Sequence, residues 1–432
     1  MDRTSRVVIG IAMATTAGTL HGTTAQAQGA TRAAPPYLDA TSSHVPAAAE
    51  LHALDVALLD VDGDGDLDVV LAVENGQNLL YLNTGSGKLQ RKDGAFGPRK
   101  ADNEHVRTAD FNGDGHADVV FVAEDDETPQ LFLGDGKGSF RDVSDRLPAR
   151  GQGNGLAVGD VSGDGIPDIV VGNTSEGKSG SAGPFLWLGD QDKRGYFIDA
   201  TASHLAGLKA ETQGVALADV DGDGDLDMVL ANQQPPNRLL LNDGKGRFTE
   251  ARDALELRVP LETREVHVFD ATGDGHPDIV FFNITSNAQG WEKDPQTRLL
   301  VNDGKGRFRD ETDARLPKHR FSSWGGLPVD FNGDGAMDLL VGAIEVPGFK
   351  PLQLQAWQND GRGHFRDVTA TVIPASMVGR SWSMAKGDLD GDGKPDVAIG
   401  GWRSQMRLLL SGQQKAAAGS QSAAATTHQA SP

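Results

Sequence analysis

Residues 214–248 read GVALADVDGDGDLDMVLANQQPPNRLLLNDGKGRF, and copies of this stretch organise the rest of the chain. The apolar run at 214–217 leads as a strand into an acidic loop at 219–227. A second apolar strand is expected at 228–231 and a third at 237–241. Any one of these runs would also suit a buried helix segment, but the glycines that flank them in every copy favour strands. Asn242-Asp243-Gly244 then makes a turn whose Asp-Gly step tolerates the positive φ of a tight hairpin, and Phe248 opens a fourth strand.

The loop pattern Asp-x-polar-Gly-Asp-Gly-x-x-Asp occurs seven times, starting at Asp60, Asp110, Asp160, Asp219, Asp270, Asp330 and Asp388. Successive starts are 50, 50, 59, 51, 60 and 58 residues apart, a period that suits a blade of four short strands. Turns like that at 242–244 stand at 302–304 and 359–361, and in looser form at 134–136 and 83–85; the third copy departs, with 189–192 before Tyr196. The fourth-strand signature, Phe140-Arg141-Asp142 or Phe365-Arg366-Asp367, is missing after the seventh loop. A matching segment, Tyr37-Leu38-Asp39-Ala40-Thr41, instead precedes the first. The expectation is an all-β chain folded as a seven-bladed β-propeller over 37–412, closed by the N-terminal strand completing the last blade and leaving few open sheet edges.

The loops suit a hard cation. Calcium takes six to eight oxygen ligands, and positions 1, 3, 5 and 9 supply side-chain oxygens while position 7 supplies a backbone carbonyl. The first loop offers Asp60, Asp62, Asp64, Asp66 and Asp68, and the second Asp110, Asn112, Asp114, His116 and Asp118. The third offers Asp160, Ser162, Asp164, Ile166 and Asp168, and the fourth Asp219, Asp221, Asp223, Asp225 and Asp227. The fifth offers Asp270, Thr272, Asp274, His276 and Asp278, and the sixth Asp330, Asn332, Asp334, Ala336 and Asp338. The seventh offers Asp388, Asp390, Asp392, Lys394 and Asp396. Up to seven Ca²⁺ ions are expected. An EF-hand is excluded, because its position-12 glutamate is replaced by apolar strand residues such as Leu71 and Leu230. Plain Asx-turns would explain one such loop but not seven that all keep Asp at positions 1, 5 and 9. The first, fourth and seventh loops carry four carboxylates; the third and fifth, with Ser162 and Thr272, are expected to lose calcium first.

Formal net charge is -21, which argues against nucleic acid or an anionic membrane as the main partner. There is no cysteine, so neither disulfides nor thiolate chemistry enters. Arg3 and Arg6, an apolar stretch at 7–17 and Ala25-Gln26-Ala27 read as a signal peptide over 1–27, followed by a linker at 28–36. A secreted or periplasmic protein without a membrane span is expected. Residues 413–432, mostly Ala, Ser, Gln and Thr, read as a disordered tail.

The loop, the apolar strand and the run at 237–248 together resemble the FG-GAP/VCBS repeat family over about residues 37–410. The resemblance implies a propeller with oxygen-ligated calcium, and it fixes no function: related propellers serve adhesion, carbohydrate binding and polysaccharide cleavage. The calcium loops share a face with the turns between third and fourth strands. The variable insertions, at 173–184, 283–296 and 344–353, fall on the other face, a place for recognition. Six residues before each loop stand Leu54, Glu104, Asn154, Gln213, Arg264, Trp324 and Trp382. Of these, Glu104, Arg264, Trp324 and Trp382 are the candidate ligand-binding residues, although tryptophans there also suit packing between blades. The reading favoured is a monomeric, non-catalytic binding or adhesion module for extracellular carbohydrate or protein. A polysaccharide lyase using His105 or His267 near Arg264, Arg320 or Arg380 is one alternative, and a structural envelope protein another.

Overall fold

Each acidic loop reverses the chain between the first two antiparallel strands of a repeat, and a Gly-rich turn reverses it again between the third and fourth, as at 243–247. The computed structural model describes residues 37–412, apart from 49–50, 125–127, 149–152, 175–182, 206, 258, 286–294, 347, 349 and 381–382. The expected signal segment (1–27), linker (28–36) and tail (413–432) lie outside the described residues, as do Trp291, Trp382 and most of the insertions at 173–184 and 283–296.

In the fourth repeat the strands are Thr212–Ala218, Asp227–Asn232, Arg238–Asn242 and Phe248–Glu250, paired antiparallel in that order. Among the described residues there are seven such sheets of four or five strands, and a separate three-stranded one. The sheets are numbered here by the loop they contain. The second strand of each is buried on both faces, as in Asp118–Ala123 and Asp278–Ile284. This is why these strands read as unbroken apolar runs rather than as alternating ones. The third sheet forms like the others, despite its divergent turn: Phe185–Gly189 pairs with Phe197–Asp199.

Tyr37–Asp39 pairs antiparallel with Arg407–Ser411, Tyr37 opposite Ser411, so the N-terminal strand is the fourth strand of the seventh sheet. One pairing was not legible beforehand. Gly401–Trp402 leaves the seventh repeat and pairs with His52 and Ala53 at the edge of the first sheet. No helix among the described residues is long and apolar enough to cross a membrane.

The core lies between sheets. Val170 and Leu186 of the third pack with Met228 and Leu230 of the fourth. Leu340 of the sixth packs with Leu409 of the seventh, and Leu71 and Tyr81 of the first with Ala398 and Leu408 of the seventh. The remaining clusters join sheets one and two, two and three, four and five, and five and six.

One polar group fastens three sheets. Asp55, 1% exposed on the first strand of sheet one, accepts hydrogen bonds from the Val106 amide and from Arg107, at 2.6 Å, in sheet two. It also meets His105 of sheet two and the Ser383 hydroxyl of sheet seven. Burial alone would raise the Asp55 carboxyl, but Arg107, His105 and Ser383 more than reverse this and hold it below the usual carboxylate range.

Candidate metal loops and the opposite face

The fourth loop shows how the sequence builds a cation site. Asp219 turns both oxygens inward, accepting the Gly222 amide at 2.8 Å and the Gly224 amide at 3.0 Å. Those glycines sit at φ of +84° and +96°, which side chains with a Cβ rarely adopt. Asp223 Oδ1 accepts the Asp225 amide, so the position-5 carboxylate tightens the loop. Asp227, fully buried at the start of the second strand, accepts the Val220 amide with one oxygen and the Asn242 amide with the other.

The outcome is that Asp219, Asp221 and Asp227 each bring a carboxylate oxygen within 4.8 Å of the other two. Asp60, Asp62 and Asp68 do the same, as do Asp388, Asp390 and Asp396. These clusters are able to hold a divalent cation, and their all-oxygen donor set fits a hard one. They belong to the three loops with a carboxylate at position 3. In the second and sixth loops Asn112 and Asn332 instead tie back to Asp114 and Asp334 at 2.9 Å. Ser162 reaches only weakly toward Asp160, at 3.4 Å, and Thr272 Oγ1 is buried without a partner.

The position-9 carboxylates are all held above the usual carboxylate range. Burial, with neighbouring loop carboxylates adding to it, pushes Asp68 and Asp227 up to about 6, and Asp118 to about 7. Asp338, beside Asp334 and Asp330, is pushed to about 8. A carboxyl raised in the folded state stabilises the fold below its unfolded value near 4, and that contribution is lost as pH rises through the folded value. Calcium-depleted protein is therefore expected to melt at a higher temperature at pH 5.5 than at pH 8. Saturating calcium should reverse the order, because it binds the deprotonated loops. Scanning calorimetry of resin-stripped protein at both pH values checks this; equal melts without calcium would contradict it.

Asparagines bonded to the position-9 aspartates reach the neighbouring sheet. Asn302, whose amide bonds Asp278, sends its side-chain amide to Val220 O in the fourth loop at 2.9 Å and to Pro277 O in its own. Asn242 latches onto Val161, Asn359 onto Ala271 and Asn83 onto Leu389 in the same way. These asparagines were read from sequence only as turn residues. Their recurrence just before the Gly-rich turn was the signal for a second role. Asn302→Ala strands two buried carbonyls and is expected to cost about 1–3 kcal/mol in a denaturant titration; a loss within error would refute the latch.

At the other ends of the first strands the structure brings some of the candidate ligand residues together. The Arg264 guanidinium lies 4.9 Å from the Trp324 ring and is bonded to Glu262 at 2.5 Å. Glu104 is pushed well above the usual carboxylate range, by burial first and then by Glu124, Asp102 and Glu74, with Arg264 opposing. Asn154 is tied to Glu124 and Thr174, and Gln213 to Gln233. Both histidines of the lyase alternative are engaged: His105 with Asp55, and His267 with Glu265 at 3.0 Å. Trp402, not among the candidates, donates to Glu74 at 2.8 Å and lies within 4.0 and 4.3 Å of the Arg380 and Arg403 guanidiniums.

Repeated four-stranded sheets with an acidic oxygen-donor loop between their first two strands define a class of acidic-loop repeat proteins. The FG-GAP-like repeat matches at residues 60–121, 110–171, 219–281, 286–341 and 349–399, and the chain belongs to that family. Cartilage acidic protein 1 of Xenopus tropicalis is 24% identical over 82% of this chain, and that of Homo sapiens 26% identical over 82%. The chain spans 58% and 65% of the lengths of those two relatives. Among solved structures, BBS1N in complex with ARL6DN, soaked with lead, matches with a TM-score of 0.54 at 9% identity, covering 88% of this chain and 99% of that one. The mercury-soaked crystal of the same complex matches with a TM-score of 0.51 at 10% identity, over 88% and 99%.

Proposed function

We propose that the chain is an exported, monomeric seven-bladed β-propeller, closed by its N-terminal strand. On this reading up to seven calcium ions rigidify one face, and the other face binds an extracellular carbohydrate or protein without catalysis. Residues 1–27 are its signal peptide and 37–412 the propeller. The observation that carries the reading is the set of three clusters in which positions 1, 3 and 9 converge within 4.8 Å. Ring closure is supported by the core clusters, one of which joins the first sheet to the seventh, and by the action of Arg264 in sheet five on Glu104 in sheet two. A binding role is supported by the protein partner present in the BBS1N structure, which has the same kind of fold. Glu104, Arg264, Trp324 and Trp382 are the proposed contact residues, and the loop residues named above the calcium ligands.

Metal analysis of protein dialysed against calcium tests the first half, with bound calcium expected and none fatal to it. The second half is tested on glycan and protein arrays, with Trp324→Ala beside the parent chain. Signals that survive unchanged in the variant would move the site away from Trp324. Turnover of an acidic polysaccharide would instead favour the lyase alternative.

A further inference from the structure

We propose that Lys386 is a built-in counter-cation of the sixth loop, and that it makes this loop the one calcium leaves first. The inference rests on the calcium reading above and adds a residue that no ligand pattern contains. Lys386 lies on Met384–Gly387, the first strand of sheet seven, two residues before the seventh loop. The corresponding residues of the other repeats are Leu58, Thr108, Val158, Leu217, Val268 and Pro328, none of them charged. The Lys386 side chain reaches into the preceding sheet: Nζ donates to Pro328 O at 2.6 Å and lies 3.9 Å from Met337 Sδ. Pro328 is two residues before the first aspartate of the sixth loop, and Met337 is its position 8, so the ammonium is placed against that loop and feels Asp330.

The sixth loop is also the one that most lacks other support. In the other six loops the position-9 aspartate accepts the position-2 amide, as Asp68 does from Val61 at 2.9 Å and Asp396 from Leu389 at 2.8 Å. Asp338 Oδ2, fully buried, makes no full hydrogen bond of this kind and feels the Phe331 amide only as the weakest of its influences. Ser411 stands where the latching asparagine of four other sheets would reach back. Position 3 is Asn332, which brings no charge. When ionised, these three clustered carboxylates repel one another, and Lys386 supplies a nearby positive charge that cannot dissociate. The same charge repels an incoming divalent ion. Ligand count alone places the third and fifth loops lowest; Lys386 moves the sixth below them.

The test is calorimetric titration of the calcium-free full chain with CaCl₂, for the parent, Lys386→Gln, Lys386→Arg and Asp334→Asn. The weakest class of sites is expected to disappear in Asp334→Asn, which assigns it to the sixth loop. Lys386→Gln should tighten that class by roughly fivefold, as expected for removing one charge near a divalent ion in a partly screened site, while Lys386→Arg leaves it in place. Calcium-free Lys386→Gln should also melt below the parent. An unchanged weakest class in Lys386→Gln, or loss of a tighter class in Asp334→Asn, overturns the proposal. Zero calcium stoichiometry in the parent would overturn the underlying calcium reading instead, and is distinguishable from either.

Discussion

Removing calcium is expected to lower the melting temperature by about 15 °C or more. A ligand present at a thousandfold excess over its Kd stabilises the folded state by about 4 kcal/mol per site. For a folded region of this length the unfolding entropy converts that to about 5 °C per site. The three loops with four carboxylates, around Asp60, Asp219 and Asp388, set the minimum. They are also the loops in which the position-3 carboxylate raises the position-9 one, Asp62 acting on Asp68, Asp221 on Asp227 and Asp390 on Asp396. Without metal that repulsion adds to the loss. Calorimetry with and without calcium at pH 8 measures it, and a shift under about 3 °C would mean that the loops hold their shape without an ion.

Asp55→Asn is the point substitution expected to hurt most, by about 3–5 kcal/mol. The change leaves Arg107 without its buried counter-charge and weakens contacts to His105 and Ser383 at one stroke. Since the Asp55 carboxyl is held below its unfolded value, its contribution is complete above about pH 4 and fades as pH falls through the lower folded value. The gap between parent and variant should therefore narrow toward pH 3. Replacing Asp55 and Arg107 together by leucine should recover most of the loss, because a well-packed apolar pair can equal a buried ion pair. Urea midpoints for the three proteins decide the matter. A loss below about 1 kcal/mol in Asp55→Asn would show that the junction is supported elsewhere.

Neither Asp55 nor Lys386 could be singled out from sequence, whereas the strands and loops could. The repeat made the strands legible because short-range chemistry is copied along the chain: an apolar run and an Asp-Gly loop seven times, and a fourth strand reading Phe-Arg-Asp three times. Strand limits moved by only a residue or two, as where 228–231 became Asp227–Asn232. The N-terminal strand was legible because its signature was displaced rather than lost. What stayed hidden was the chemistry between repeats. Asp55 meets partners 50 and 328 residues away, and Lys386 touches Pro328 across a sheet boundary. No periodicity reports such pairs, since they are the positions where one repeat differs from the rest. The candidate site was half legible for a related reason. The position six residues before each loop and the connection carrying Trp402 were read onto one face, but the sequence did not show that Arg264 would lie 4.9 Å from the Trp324 ring or Arg380 4.0 Å from that of Trp402.

The pairing of Tyr37 with Ser411 also has a kinetic meaning. A chain emerging N-terminus first holds its opening strand without a partner until nearly all of the remaining sequence has appeared. Contacts between such distant residues form slowly, because a very long loop must close before they are rewarded. Sheets one to six can assemble in order from local hairpins while the seventh waits for both ends. The final step of folding is thus expected to be a docking of the two ends. A rearranged chain in which Tyr37–Thr41 follows Ser411 through a short Gly-containing hairpin turn should complete that step faster, with the same sheets at the end.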